Sequence, residues 1–167
     1  NQQLQDVFGA WNKNELQSFL IEITQKVINF KDPQGKGPLV EQIRDVVGMK
    51  GTGTWTIKAA LDLLVPIPTI AAAVDMREIS MDKDQRVAAS KILKGPSPKP
   101  IPKDASQQFI NDVKDALYCS KICSYAQGYV QMQAAAKEHD WPLDYGNIAL
   151  LWRGGCIIRA VFLDRIK

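Results

Sequence analysis

The sequence predicts an all-α fold in which helices surround a single core. Apolar residues recur every three to four positions along most of the chain, which is the spacing of one face of an α-helix. Residues that start and stop helices separate these stretches, and no run shows the strict alternation of a half-buried strand. We therefore expect helices throughout the chain.

Length and composition predict one domain, residues 1–167. Hydrophobic residues make up 46% of the 167 residues, which suffices for a core without a metal ion or disulfides. The formal net charge of +3 is too small and too scattered to predict a nucleic-acid partner. Prolines and charged residues interrupt every apolar run before the roughly 20 residues that a membrane span needs, so no membrane partner is expected.

The cysteines and the single histidine predict no metal site. Cys119, Cys123 and Cys156 show no disulfide framework, and this usage is typical of a reducing compartment. Cys119 and Cys123 are four residues apart, but His139 is the only histidine and no second cysteine pair follows. We interpret Cys119 and Cys123 as small buried core residues and His139 as a solvated surface residue.

The first predicted helices precede residue 48. Asn12 with Glu15 resembles a capping pair, and apolar residues then recur at helical spacing over residues 19–30. The proline- and glycine-rich segment 32–38 predicts a loop. Four apolar residues within segment 39–47 predict a short helix.

Three further helices are predicted between residue 57 and Gly95. One covers residues 57–65, and the next begins at Pro68, since proline suits the first helical turn. Ser80 or Asp82 is expected to cap the third, which stops at Gly95.

The second half begins with a proline-rich spacer, 96–102, followed by the longest predicted helix, 106–138. Gly128 costs that helix about 1 kcal/mol relative to alanine, and we interpret it as a site of close helix packing. Asp144 is predicted to cap the next helix, and Gly154 with Gly155 to separate the last two pieces. The residues expected on the buried side of the long helix are Phe109, Val113, Leu117, Ile122, Tyr125, Ala126, Tyr129 and Met132.

The segment Met49–Thr56 predicts an anion pocket, most naturally for a phosphate. Gly51 and Gly53 are able to adopt positive φ, Thr52 and Thr54 add hydroxyl donors, and the following helix adds free N–H groups and the positive end of its dipole. The lysine precedes the glycines, which disfavours a Walker loop. The same residues also fit a turn that caps a helix and leaves Lys50 in solvent.

Both ends of the chain predict a piece of a longer protein. No helix-stopping residue precedes Lys167, and residues 1–8 resemble the end of a helix without its beginning. Four motifs then resemble 6-phosphogluconate dehydrogenases, and the resemblance covers essentially the whole chain. The motifs are Leu20–Thr24, Lys50–Thr56, Ser120–Gly128 and Trp152–Arg159.

The resemblance implies part of the C-terminal all-helical domain of this family, without the Rossmann domain that binds NADP. No G-x-G-x-x-G fingerprint occurs in the chain. The family's catalytic lysine and glutamate would precede Asn1, so the resemblance assigns no catalytic, cofactor-binding or metal-binding residue here. It also implies a cytoplasmic homodimer in which this domain supplies most of the subunit contact.

The implied reaction is the NADP-dependent oxidative decarboxylation of 6-phosphogluconate to ribulose 5-phosphate, a step of the pentose phosphate pathway and of gluconate utilisation. The resemblance assigns substrate-phosphate binding to Lys50, Thr52 and Arg77. Without it, Arg77 would be interpreted as a surface partner of Asp75 or Glu78. The chain has Thr54 where the family commonly has lysine, which reduces the local positive potential.

Two alternatives remain open at this point. The chain also fits the helical domain of another β-hydroxyacid dehydrogenase, whose unphosphorylated substrates need no cationic cluster. It also fits a non-catalytic helical interaction module, which the proline-rich segment and the lack of an acid/base pair favour. We expect the 167-residue piece alone to have no dehydrogenase activity.

Overall fold

The computed structural model describes all residues from Asn1 to Lys167 and confirms the all-α prediction. It contains no β-strand beyond isolated bridges, of which Ser18 with Ala160 is one. No helix is both long and apolar enough to cross a membrane. The α-helices are α1 Gln2–Trp11, α2 Phe19–Val27, α3 Thr52–Asp62, α4 Pro68–Met81, α5 Lys83–Ser90, α6 Ser106–His139, α7 Tyr145–Leu151 and α8 Leu163–Ile166, with 3₁₀ turns at Leu39–Gln42 and Lys103–Ala105.

The chain forms two compact units. The terminal unit combines residues 1–43 with residues 142–167, and the central unit comprises residues 44–141. The prediction of a single domain, 1–167, stays a prediction, and each unit is described by itself.

In the terminal unit, α1 packs against α2 and the two ends of the unit meet through the backbone. The amide of Phe19 donates to the carbonyl oxygen of Arg159 at 2.9 Å, and the amide of Val161 donates to that of Gln17 at 3.0 Å. The buried apolar residues of this unit are Trp11, Leu16, Ile21, Ala149, Ala160, Phe162 and Leu163.

The central unit is built from α3 to α6, and Gln127 of α6 connects two of these helices. Its side-chain oxygen accepts from the amides of Thr69 and Ile70 at 3.1 and 3.3 Å, and its nitrogen donates to Thr69 Oγ1 at 3.0 Å. Because Pro68 opens α4, these two amides belong to the first turn and have no partner within the helix. Gln127 therefore caps α4 from a distant part of the sequence.

Local helix signals were mostly correct. Asp82 caps α5 by accepting from the amide of Gln85 at 3.2 Å, and Asp144 caps α7 by accepting from that of Asn147 at 3.1 Å. The proline-rich segment is exposed and contains no helix, as predicted.

Some predicted helix boundaries were wrong. The helix predicted to stop at Gly95 ends at Ser90. Asn12 ends α1 rather than starting a helix, and α2 begins after Ser18, whose backbone is extended. The predicted helix over 39–47 is only a 3₁₀ turn, because Ile43 already has an extended ψ of 133°.

The predicted burial of α6 was also wrong, since none of its residues is buried. Phe109 is 49% exposed and Val113 is 40% exposed. A Cβ placed on Gly128 would meet nothing within 4 Å, so close packing does not explain this glycine. Helical periodicity indicates that an apolar face exists, but not which part of a protein covers it.

Candidate functional site

The candidate anion loop lies at the N-terminus of α3, as the sequence predicted. Gly51 is the N-cap residue with φ 98°, a conformation that favours glycine, and Thr52 is the first helical residue. The first amides of α3 therefore lie directly after Lys50, where the helix dipole adds a partial positive charge. Lys50 and Thr52 are both exposed.

Gly53 has a different role from the predicted one. It lies within the first turn of α3 and is not among the residues with positive φ, because the turn that the loop needs is made at Gly51. A Cβ at Gly53 would lie 2.9 Å from Cγ2 of Val74, which is buried in α4. Gly53 therefore permits the close approach of α3 to α4.

The other side chains of the loop contact its backbone or its neighbours. Trp55 is 68% exposed, and its indole lies beside Gly51, where a Cβ added to the glycine would be 3.8 Å from the ring. Thr54 places its hydroxyl 3.8 Å from the sulfur of Met49. The hydroxyl of Thr54 thus faces Met49.

Arg77 of α4 contacts the backbone directly before this loop. Its guanidinium donates to the carbonyl oxygen of Gly48, two residues before Lys50. This contact, rather than an ion pair with Asp75 or Glu78, is the one that the exposed Arg77 side chain makes. The remaining N–H groups of the planar guanidinium are available for a further acceptor.

Further contacts, which the sequence analysis missed, hold the backbone just before this loop. Asp45 forms ion pairs with Lys83 and with Arg86 of α5, the latter at 3.2 Å. The amide of Val47 donates to Ser80 Oγ at 3.2 Å. Lys83 and Arg86 are three residues apart on one helix face, and this spacing was the available signal.

The pKa of Asp45 is lowered from the usual 3.8 to about 2. The largest cause is the hydrogen bond from Lys83, followed by backbone hydrogen bonding and by the hydrogen bond from Arg86. Asp45 is therefore ionised throughout the neutral range, and its contacts with both cations are charge-assisted.

The cysteines and His139 have no contact that suggests a ligand site. Cys119 is exposed and Cys123 is half-buried, so the expectation that these two are buried was wrong; Cys156 is half-buried as well. The hydrogen bond with Cys119 raises the pKa of the Cys123 thiol. His139 is exposed, as predicted, and stacks on Trp141 with ring centroids 4.7 Å apart. The structure contains no cluster of three or more residues suited to hold a metal ion.

In outline, the structure is an all-α domain with an exposed lysine at a helix N-terminus and an arginine docked on the same loop. This class of domain fits an anionic ligand. Residues 1–167 match the family described as 6-phosphogluconate dehydrogenase, C-terminal domain, and the chain belongs to that family.

Relatives and a solved structure agree with this family assignment. The chain is 56% identical over 165 residues to the decarboxylating 6-phosphogluconate dehydrogenase of Drosophila melanogaster, covering 99% of this chain and 34% of that protein. It is 52% identical over 165 residues to the NADP(+)-dependent, decarboxylating enzyme of Bacillus subtilis, covering 99% of this chain and 35% of the relative.

The Plasmodium falciparum 6-phosphogluconate dehydrogenase, described in its apo form and in complexes with NADP+ and with 6-phosphogluconate, superposes with a TM-score of 0.91 at 44% identity. This match covers 99% of this chain and 35% of that one. The chain thus spans about a third of the length of the proteins it matches.

Proposed function

We propose that this chain is the helical, substrate-binding part of an NADP-dependent 6-phosphogluconate dehydrogenase, which oxidatively decarboxylates 6-phosphogluconate to ribulose 5-phosphate. The observation that carries the proposal is the meeting of Arg77 with the loop that bears Lys50 at the N-terminus of α3. The names of the relatives at 52–56% identity support the reaction.

In this proposal, Lys50, Thr52 and Arg77 bind the phosphate group of the substrate. Lys50 supplies a point charge, Arg77 a planar set of donors and Thr52 a hydroxyl, while the first amides of α3 supply backbone donors. Each charged hydrogen bond to the phosphate contributes roughly 1.5–3 kcal/mol. An unphosphorylated acid would leave these groups without an acceptor, which favours a phosphorylated substrate over the other β-hydroxyacids.

The residues of this chain do not fit the role of a dinucleotide-binding fold, because they form no strand followed by a glycine turn and a helix. We therefore assign NADP, the hydride acceptor of this reaction, to another part of the longer protein. The catalytic acid and base are assigned there too, so the 167-residue piece alone is expected to be inactive.

The proposal includes a homodimer in the cytoplasm. The exposed apolar residues of α6, among them Phe109, Val113 and Ile122, support a subunit contact through this helix. Cys119, with the other two free cysteines, supports a reducing compartment.

Steady-state kinetics of the full-length protein test the phosphate assignment. Arg77→Ala and Lys50→Ala are each expected to raise the KM for 6-phosphogluconate by about 10- to 150-fold, the equivalent of one charged hydrogen bond. The KM for NADP is expected to change little. Arg165→Ala removes an exposed arginine of the terminal unit and serves as the matched control. An unchanged KM for 6-phosphogluconate in both variants contradicts the assignment.

A further inference from the structure

The backbone just before the candidate anion loop, residues 45–48, is held at three points, although it contains no helix or strand. The side chain of Asp45, the amide of Val47 and the carbonyl oxygen of Gly48 each have a partner on α4 or α5. These partners lie 29 to 41 residues further along the chain. A segment without regular structure is thus fixed by contacts that are distant in sequence.

Arg86 makes the most extensive of these contacts. Both terminal nitrogens of its guanidinium donate to Asp45 Oδ2 at 3.2 Å, and Nη2 also donates to the backbone oxygen of Asp45 at 3.0 Å. The same nitrogen donates to the carbonyl oxygen of Ser80 at 3.2 Å, near the end of α4. One side chain therefore ties the backbone of Asp45 to the junction of α4 and α5.

Ser80 connects this junction to the phosphate-binding arginine. Its hydroxyl donates to the carbonyl oxygen of Arg77 at 2.7 Å and accepts from the amide of Val47. The loop backbone and the backbone of Arg77 are thus joined through a single oxygen atom.

We propose that Asp45, Ser80 and Arg86 are positioning residues that hold the loop bearing Lys50 and Thr52 in the conformation that receives the substrate phosphate. This inference rests on the proposed function. None of the three is assigned a contact with the phosphate, and their effect is exerted through the backbone between Asp45 and Gly48. Without them, the glycines at 48 and 51 would leave the loop free to sample other conformations, and phosphate binding would bear the cost of ordering it.

The test compares Asp45→Asn and Ser80→Ala in the full-length enzyme with the control Asp84→Asn. Asp84 is an exposed acid in the first turn of α5, outside this set of contacts. We expect Asp45→Asn and Ser80→Ala each to raise the KM for 6-phosphogluconate and the inhibition constant of inorganic phosphate by about 2- to 10-fold, the equivalent of one hydrogen bond. The kcat, the KM for NADP and all constants of the control should stay within about twofold.

Arg86→Lys adds a conservative variant. Lysine keeps the charge but lacks the fork that reaches both Oδ2 and the backbone oxygen of Asp45, so phosphate affinity should fall between those of the native enzyme and of Arg86→Ala. A general loss of stability would instead lower the melting temperature and kcat without a selective change in phosphate affinity.

The outcomes separate this inference from the proposed function. If Arg77→Ala and Lys50→Ala weaken phosphate binding but Asp45→Asn and Ser80→Ala do not, the positioning role is overturned and the proposed function stands. If none of the four weakens it, both are overturned. If Asp45→Asn alters only thermal stability, the contacts are structural and the inference is wrong.

Discussion

The terminal unit and the central unit use their family motifs in different ways. In the terminal unit, Glu22 of one motif pairs with Arg159 of the other at 2.7 Å, next to backbone bonds between the same two segments. In the central unit, Gln127 accepts from an amide at the start of α4 and Gln131 donates to a carbonyl oxygen of α3, while Lys50 remains exposed. Glu22 and Arg159 thus satisfy each other's charge, whereas the proposed function uses the exposed Lys50 for the substrate phosphate.

This difference shows that a motif by itself does not distinguish a structural role from a binding role. Arg159 ends one of these motifs, whereas Arg77 lies in α4 outside all four, and both are arginines. Arg159 lies 5.7 Å from the ring centroid of Phe19 and is paired with an acid, whereas Arg77 contacts only a backbone oxygen. The neighbours, which the sequence does not give, decide between the two roles.

The largest expected change in stability is in the central unit, where Gly53 permits the close packing of α3 on α4. Gly53→Ala places a methyl group 2.9 Å from Val74 Cγ2 and should lower the free energy of unfolding by about 1–3 kcal/mol, the usual cost of overpacking. Urea titration measures this loss. In a protein that already carries Val74→Ala, Gly53→Ala should lower the free energy of unfolding by less.

Gly128→Ala is the matched control, because a Cβ there meets no atom within 4 Å. It should stabilise α6 by up to about 1 kcal/mol, since alanine is a better helix former. If both glycine substitutions have the same effect, Gly53 does not set the approach of α3 to α4.

A smaller effect is expected in the terminal unit. Glu22→Gln removes the charge that pairs with Arg159 and should lower the urea midpoint by less than Gly53→Ala, because both side chains are partly exposed. The KM for 6-phosphogluconate should not change. A selective increase in that KM would break the contrast between the two units, since it would give the Glu22 motif a part in substrate binding.

The smallest expected effect is on the stability of the fold at acidic pH. The folded-state pKa of Asp45 is lowered to about 2, below the usual 3.8, so its ion pairs stabilise the fold above pH 3.8 and lose this contribution as the pH falls toward 2. The difference in urea midpoint between the native protein and Asp45→Asn should therefore be constant from pH 7 to 5 and shrink below pH 3.8. A difference that grows on acidification would contradict the ion pairs.

Features set by neighbours in sequence could be predicted. Pro68 opens α4, Asp82 and Asp144 cap their helices, and Gly51 makes the turn before α3, because each acts within about one helical turn. The position of Arg77 in α4 followed from the same local signals.

Features set by distant partners could not be predicted. The contact of Asp45 with Arg86 spans 41 residues, and that of Gln127 with Thr69 spans 58. Gly53 was interpreted as a flexible loop residue because the sequence does not show that Val74 lies against it. The residues of the candidate anion loop can therefore be recognised in the sequence, whereas the long-range contacts that hold the backbone beside it cannot.

The exposure of Trp55 has a practical consequence. Its indole lies beside Gly51, at the start of α3, with most of its surface in water. Indole fluorescence depends on the polarity around the ring, so the protein carries its own optical reporter at the loop. Comparing emission spectra of the native enzyme and Trp55→Phe would isolate that signal and allow occupancy of the loop to be followed in solution without a dye.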